Sequence, residues 1–507
     1  MLKKLKGNFL KEIKSHSLIY FLLATILLVA FFVRIYRLDK LLGFYFDQGR
    51  DALVIWKLWH EGKFFLIGPV TGLAGIFLGP LYYYLIAPFY LIGAGNPVAP
   101  AIFLAFLSTL AIAILYILGF RMHSRASGLT AVTISSLSYY LVLAGRWLSN
   151  PTPIFLASTI LLYAMWEITS SNQKLNFWWM VIAATVGASL QFEAASGFFY
   201  IPIIFIFAVW QRKKLPNFKI TLISLGLFLL MLAPPIMFNF RHENILINNF
   251  KKIFMEEKSF RLDFWEVLGE RLTYFWNVFS EKIFVEMKTY TLIFSLLSAL
   301  GILFSKKVIM KKILTLFLIF LGVPIVGYIL FQGNFGNIYD YYMTGYYLPM
   351  ILLFSIGLTE VWKRGAGKVV VIIFFLGFFT IHLPLLRNYL IAGVDGPTHI
   401  SLGNELQAVT WVFEDARGLN EFNVDVYVPP VIPHSWDYLF LWQGNRRCGM
   451  SLCGLLEKRR PLVYVIYEVD PPHPERLRNW LSKYVGSTII EKDVRFGGIT
   501  IERRRRI

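Results

Sequence analysis

The sequence predicts an all-α polytopic membrane protein of about eleven transmembrane helices, followed by a small C-terminal α/β extracytoplasmic domain. Three observations predict it. Of 507 residues, 56% are hydrophobic and 16% charged, against roughly 25% charged in a soluble globular chain. Apolar runs near the ~20 residues needed to cross about 30 Å of hydrocarbon recur through the first three quarters of the chain. After about Arg387 the composition turns to mixed polar and β-branched residues. The formal charge of +19 sits largely in short loops between apolar runs, a pattern that orients helices in a bilayer, so no nucleic-acid partner is expected.

The first run, Leu18 to Tyr36, follows Lys3, Lys4, Lys6, Lys11 and Lys14 and lacks a small-residue cleavage site. It reads as a retained anchor with its N-terminus in the cytoplasm, which makes the chain an integral protein of the plasma membrane. Further spans are expected near 97–120, 127–144, 153–168, 177–193, 197–210, 218–238, 289–304, 313–331, 343–360 and 369–386. This count puts Arg121/Arg125, Arg212/Lys213/Lys214, Lys306/Lys307/Lys311/Lys312 and Lys363/Arg364/Lys368 on the cytoplasmic side. It requires that Leu78–Gly95 lies along the interface or re-enters without crossing, for which its Pro80, Tyr82, Tyr83, Tyr84 and Pro88 are suited. The opposite reading, that it crosses and a neighbouring pair does not, leaves both chain ends where they are.

Two parts follow: a membrane module over 1–386, with external loops 38–77 and 239–288, and a soluble extracytoplasmic domain over 387–507. Loop 239–288 mixes basic residues such as Lys258, Arg261 and Lys282 with acidic ones such as Glu256, Glu257 and Glu281 and is near neutral. In the tail, Glu405 to Arg417 has one apolar face, and Asn423–Val428, Leu462–Val469 and Gly498–Glu502 read as strands. His434 and Trp436, among prolines, read as a structured loop. Two cysteines, Cys448 and Cys453, exclude a disulfide framework or a four-ligand zinc site. One disulfide is open to them if the tail is extracytoplasmic.

Polar residues at the ends of membrane helices are expensive and default to functional hypotheses. On the expected external side they recur: Asp47, Arg50 and Asp51; Arg146 and Asn150; Gln191 and Glu193; Asn239, Arg241, His242 and Glu243; Tyr339, Asp340, Tyr341 and Tyr342. Such groups could line one outward cavity. A carboxylate there can take a proton from a hydroxyl while arginines hold a phosphate, which suits group transfer from a phosphate-linked donor. Carboxylates and arginines within a bundle can equally carry ions in a transporter. The plainest alternative is that Arg34, Arg37 and Arg146 snorkel to headgroups and Asp51 only pairs with Arg50.

Phe46-Asp47-Gln48-Gly49-Arg50-Asp51-Ala52, the stretch through Trp56 and Trp59 to Gly62, and Leu78-Gly79-Pro80-Leu81-Tyr82-Tyr83-Tyr84 resemble the first external loop of the GT-C superfamily membrane glycosyltransferases. The resemblance is to the protein O-mannosyltransferase and aminoarabinose-transferase-like branch. Gly145-Arg146-Trp147-Leu148-Ser149-Asn150-Pro151 is similar to that family's Arg-x-x-x-Asn-Pro element, and Asp437-Tyr438-Leu439-Phe440 to part of the tail of bacterial members. Gln48 stands where the family has a second acid, and Glu193 where related sequences often have a histidine.

The resemblance implies a monosaccharide donor linked to a polyprenyl phosphate, a protein, lipid or glycan acceptor, surrounding membrane lipids and a single inverting displacement. By match, Asp47 is the catalytic base. Burial beside Phe44 and Phe46 would raise its basicity. Arg50 and Asp51 then orient it, Arg146 and Arg241 hold the donor phosphate, and Asn150, Gln191, Glu193, Tyr83 and Tyr342 contact donor or sugar. The branch is described as metal-independent, so no cofactor is expected; Asp47 and Asp51 alone would be a thin site for a divalent cation. An O-antigen ligase or polymerase-like transferase and a lipid-linked sugar transporter are the alternative functions. The first would place its key arginines in the later large loop, and the second would show inverted repeats at mid-membrane.

Overall fold

A computed structural model of the chain describes residues 12–71, 75–252, 263–305, 307–331, 337–394, 396–417, 421–429, 432–449 and 453–507. Lys3, Lys4, Lys6, Lys11, Lys306, Glu256, Glu257, Lys258 and Arg261 lie outside the described residues. Among the described ones, seven helices are long and apolar enough to cross a membrane: Ser17–Ile35, Val98–Met122, Leu175–Phe192, Phe218–Arg241, Val308–Leu330, Asp340–Trp362 and Gly367–Ile391. Arg125–Leu137 with Tyr139–Gly145, and Phe264–Ile283 with Lys288–Leu303, raise the number to nine if each bent pair is one span. The expected spans at 153–168 and 197–210 are the shorter apolar helices Ile154–Ser170 and Ala194–Trp210.

The break at Ser138 shows how a bent helix survives in an apolar setting. A bend of 73° frees backbone groups that lipid cannot satisfy, so other parts of the protein must. Arg34, buried on the first helix, donates to the carbonyls of Ser135 and Ser136 at 3.0 and 3.3 Å and to that of Leu141 at 3.4 Å. The Ser138 hydroxyl donates to the Lys282 carbonyl at 2.8 Å, and the Tyr139 N–H to His382 Nδ1 at 3.0 Å. His382 Nε2, 2.9 Å from the Ile283 carbonyl, is then the donor of that pair. Arg37 donates to the carbonyls of Leu390 and Ala392, and Arg146 to those of Val33 and Tyr36. The three arginines offered to headgroups by the snorkelling alternative thus cap helix ends inside the protein, because those carbonyls have no partner of their own.

Leu81–Ile92, near 18 Å long at about 1.5 Å per residue, is too short to cross, in keeping with a segment that lies at the interface or re-enters. Of its tyrosines only Tyr84 is exposed. Tyr82, Tyr83 and Tyr90 are buried in a core shared by the loop helix Phe46–Glu61, the helix Val98–Met122 and the C-terminal unit. A separate core fills the helical bundle.

The C-terminal unit is a four-stranded sheet in the order β1-β2-β4-β3, with β1 (Asn423–Tyr427), β2 (Leu462–Glu468), β3 (Thr488–Phe496) and β4 (Ile499–Arg506). β1 and β2 are parallel; β2 with β4 and β3 with β4 are antiparallel. Helices Leu402–Asp415 and His434–Cys448 pack on it, and Cys448 and Cys453 form a disulfide. The segment read as a loop around His434 and Trp436 is the start of a helix. Its apolar side, with Trp436, Leu439 and Phe440, is buried against the sheet and the first loop.

Candidate active site

The loop helix Phe46–Glu61 is held at both faces. Gln48, its third residue, accepts from the Tyr45 N–H at 3.0 Å through Oε1 and donates to the Leu148 carbonyl at 3.1 Å through Nε2. A carboxylate could cap the N-terminus but could not donate, so the amide adds a tie to the 146–152 segment that the family's second acid would lack. On the other face a Cβ at Gly49 would strike the backbone of His434 and Ser435. The C-terminal helix can therefore lie directly against the loop helix, with the His434 ring on Phe46.

Arg50 links the two acids. Its guanidinium reaches Asp47 at 2.8 Å and Asp51 at 2.8 Å, and the Tyr83 hydroxyl donates to Asp51 at 2.9 Å. The side chain of Asp51 is 6% exposed and that of Asp47 57%. The expectation that Asp47 is buried beside Phe44 and Phe46 is thus not met; position 51 faces the tyrosines and position 47 opens outward. Burial pushes the Asp51 carboxyl up to about 6, against the pull of Arg50 and the Tyr83 hydrogen bond. Helical spacing already hinted at this grouping, since residues four apart share a face.

The other candidates separate into two groups. Asn150 donates to the Phe192 carbonyl at 2.6 Å, Gln191 accepts from the Leu81 N–H at 3.2 Å and donates to the Met231 carbonyl, and Glu193 accepts from the N–H groups of Ala195 and Ser196 at 2.7 and 2.6 Å. At the break between Leu175–Phe192 and Ala194–Trp210, Gln191 ties the chain to the loop around Leu81 and Asn150 ties it to the 146–152 segment. Glu193 caps the N-terminus of the second helix. Arg146, besides its two carbonyls, lies over the Tyr389 ring at 5.0 Å. Arg241 ends its helix exposed, with no ion pair among the described residues. Tyr342 packs with Tyr339 and Tyr341.

A cavity of about 650 Å³ lies on the other side of the 146–152 segment, lined by Arg146 and Trp147, by Tyr45, by Lys282 and Asp340, and by the 392–401 linker to the C-terminal unit. Lys282 was not singled out in the sequence, where it is one lysine in a loop of balanced charge. No group of three or more His, Cys, Asp or Glu able to hold a metal is found among the described residues.

Comparison with known proteins agrees with this architecture. A family model described as dolichyl-phosphate-mannose-protein mannosyltransferase matches residues 78–238, a stretch that contains Tyr83, Arg146, Asn150, Gln191 and Glu193. The crystal structure of ArnT from Cupriavidus metallidurans in the apo state superimposes with a TM-score of 0.60 at 11% identity, covering 97% of this chain and 98% of that one. The same protein bound to undecaprenyl phosphate gives 0.55 at 10% identity over 96% and 98%. No curated protein matches the chain by sequence. The chain therefore has an ArnT-like fold, the fold expected from the residues around Asp47.

Proposed function

We propose that the protein is a glycosyltransferase that moves a monosaccharide from a polyprenyl-phosphate donor to a protein, lipid or glycan acceptor on the extracytoplasmic face. The observation that carries this reading is the Asp47–Arg50–Asp51 arrangement: a buried acid and a shared arginine hold a second acid that stays open to a substrate. The family match over 78–238 and the ArnT-like fold support the substrate class. The basic residues Arg121, Arg125, Lys307 and Lys363 gather at the end of the bundle opposite Asp47, which supports an extracytoplasmic site and a cytoplasmic N-terminus.

Asp47 takes the proton of the acceptor hydroxyl as its oxygen attacks the anomeric carbon. The bond from that carbon to the phosphate oxygen breaks, its electrons leave with the lipid phosphate, and the configuration inverts. Arg50 fixes the direction of the base through its pair with Asp51. Arg241, exposed and without an ion pair among the described residues, meets the charge developing on the phosphate, and Arg146, which lines the neighbouring cavity, adds a second positive edge. Both carboxylates already face Arg50, so this chemistry is written without a metal ion.

The test is transfer of radiolabelled sugar from a panel of polyprenyl-phosphate monosaccharides by the full chain in proteoliposomes, with Asp47→Asn as the comparison. Transfer by the wild type that is lost in a folded Asp47→Asn variant supports the reading. Equal transfer by both removes Asp47 as the base, and no transfer from any donor returns the weight to a ligase or a transporter.

A further inference from the structure

The cavity beside the 146–152 segment contains a charge that the reaction above does not use. The Lys282 side chain is 3% exposed, while its partner Asp340, 3.1 Å away, is 54% exposed. Its ammonium carries three N–H donors and has Asp340 as its one hydrogen-bond acceptor among the described residues. Glu281 stands farther off at 3.6 Å. The rest of its surroundings are aromatic, with the Tyr347 ring centre at 4.8 Å and that of Tyr140 at 5.2 Å. Both rings, the ammonium and Asp340 line the cavity, with Arg146 and Trp147 close by on the same wall.

A purely structural buried pair has both partners enclosed and their hydrogen-bonding capacity filled, because desolvation otherwise exceeds the attraction. Here only the cation is enclosed. Its acid sits at the cavity surface, where an incoming anion can take its place at little desolvation cost. Two tyrosine faces stabilise the charge without accepting its N–H hydrogens in hydrogen bonds, so those donors stay open to an anion. The Tyr347 and Trp147 rings offer flat apolar surface of the kind that packs on a sugar face.

We propose that this cavity is a binding subsite for a phosphate ester attached to a sugar, anchored on Lys282, with Asp340 as the counter-ion that the phosphate displaces. The proposal rests on the glycosyltransferase reading for the identity of the ligand, and on the cavity alone for its charge. Two sources share this chemistry. The phosphate is that of the lipid-linked donor, or that of a water-soluble or acceptor-borne sugar phosphate.

The experiment measures binding of a radiolabelled polyprenyl-phosphate monosaccharide to the full chain in phosphatidylcholine nanodiscs, and separately of glucose 1-phosphate from solution. The variants are Lys282→Met, Lys282→Arg and Asp340→Asn. One or both probes are expected to bind the wild type. Lys282→Met should weaken binding at least tenfold, Lys282→Arg should retain most of it, and Asp340→Asn should tighten it severalfold by removing the competing anion. A role in folding alone predicts the reverse for Asp340→Asn, namely unchanged or weaker binding with a lower melting temperature. Binding of only the lipid probe assigns the subsite to the donor, and of only glucose 1-phosphate to the acceptor side. No binding of either probe, or equal binding by wild type and Lys282→Met, overturns the proposal; if Lys282→Met fails to fold, Asp340→Asn decides by its direction. Sugar transfer measured in parallel separates the two claims: transfer unaffected by Lys282→Met overturns the subsite and leaves the enzyme, while binding without transfer from any donor does the opposite.

Discussion

The two ends of the helical bundle use the same residue types to different ends. At one end Glu360 accepts from Lys363 and His123 with Lys307 at 3.5 Å, Arg121 pairs with Glu167 at 2.8 Å, and Arg125 with Glu12 at 2.6 Å. Each of these acids has at least one cation, and all of these pairs except the local Glu360–Lys363 one join separate helices or turns. At the other end Arg50 holds two acids and leaves one open, Lys282 has one acceptor for three donors, and Arg241 has none among the described residues. Saturated charge fastens helices, whereas unsaturated charge beside a cavity is free to act on a ligand.

That contrast can be broken by mutation. Asp47→Asn should lower transfer by about 10² to 10⁴, the usual range for a general base, with unchanged melting. Glu360→Gln at the opposite end should do the reverse. It leaves Lys307, Lys363 and His123 facing one another and, with both lysines about half exposed, should cost about 1 kcal/mol, read as a lower melting temperature in detergent with normal transfer per folded molecule.

A third prediction concerns the C-terminal unit. Glu405 and Glu468 are buried near each other under the start of the His434–Cys448 helix, with the Trp436 indole donating to Glu468 at 2.9 Å. Burial pushes Glu468 up to about 7, and burial together with Glu468 raises Glu405. For an acid whose folded value is raised, the stabilising contribution is full below the unfolded value near 4.5 and lost as pH rises through about 7. Thermal unfolding should therefore show the protein about 2 kcal/mol more stable at pH 5 than at pH 8. Glu468→Gln should flatten that dependence, and an unchanged slope would remove the buried pair as its source. On transfer, a smaller effect is expected at Asp51. Below pH 6 the carboxyl is neutral and Arg50 loses one of its two anchors, so transfer should fall about tenfold as pH drops through 6. Asp51→Asn should be low at all pH values and show no such step.

Most helix positions were legible because apolar length is a local property, but the expected span 127–144 is two helices bent at Ser138, and 153–168 and 197–210 are shorter than the span candidates. What the sequence could not reveal depends on contacts made across the fold. The sequence left Arg34 and Arg37 with nothing but a headgroup alternative, and Arg146 with that or a donor phosphate, until the break at Ser138 and the helix ends supply carbonyls for them. Tyr82 and Tyr83 read as interfacial aromatics until the first external loop, through Asp51 and Phe65, packs against Tyr83. The strand Thr488–Phe496 was missed because both of its faces are largely exposed, which removes the alternation that marks a half-buried strand. Asp47, Arg50 and Asp51 could be grouped from helical spacing alone. Lys282 gave no signal, since its importance comes from two tyrosines on other helices.

The shared core around Gly49 also orders the biogenesis of the protein. The helix that carries Asp47 leaves the ribosome near the beginning of synthesis, and the helix it rests on leaves near the end. Until Trp436, Leu439 and Trp442 arrive, the core that contains Phe44, Ala52, Ile55 and Tyr90 is incomplete. A chain cut short before His434 would hold all its membrane helices and no seated base. If Asp47 is the base as proposed, sugar transfer should require the C-terminal helix to be seated on the loop helix, and a chain truncated before His434 should show none.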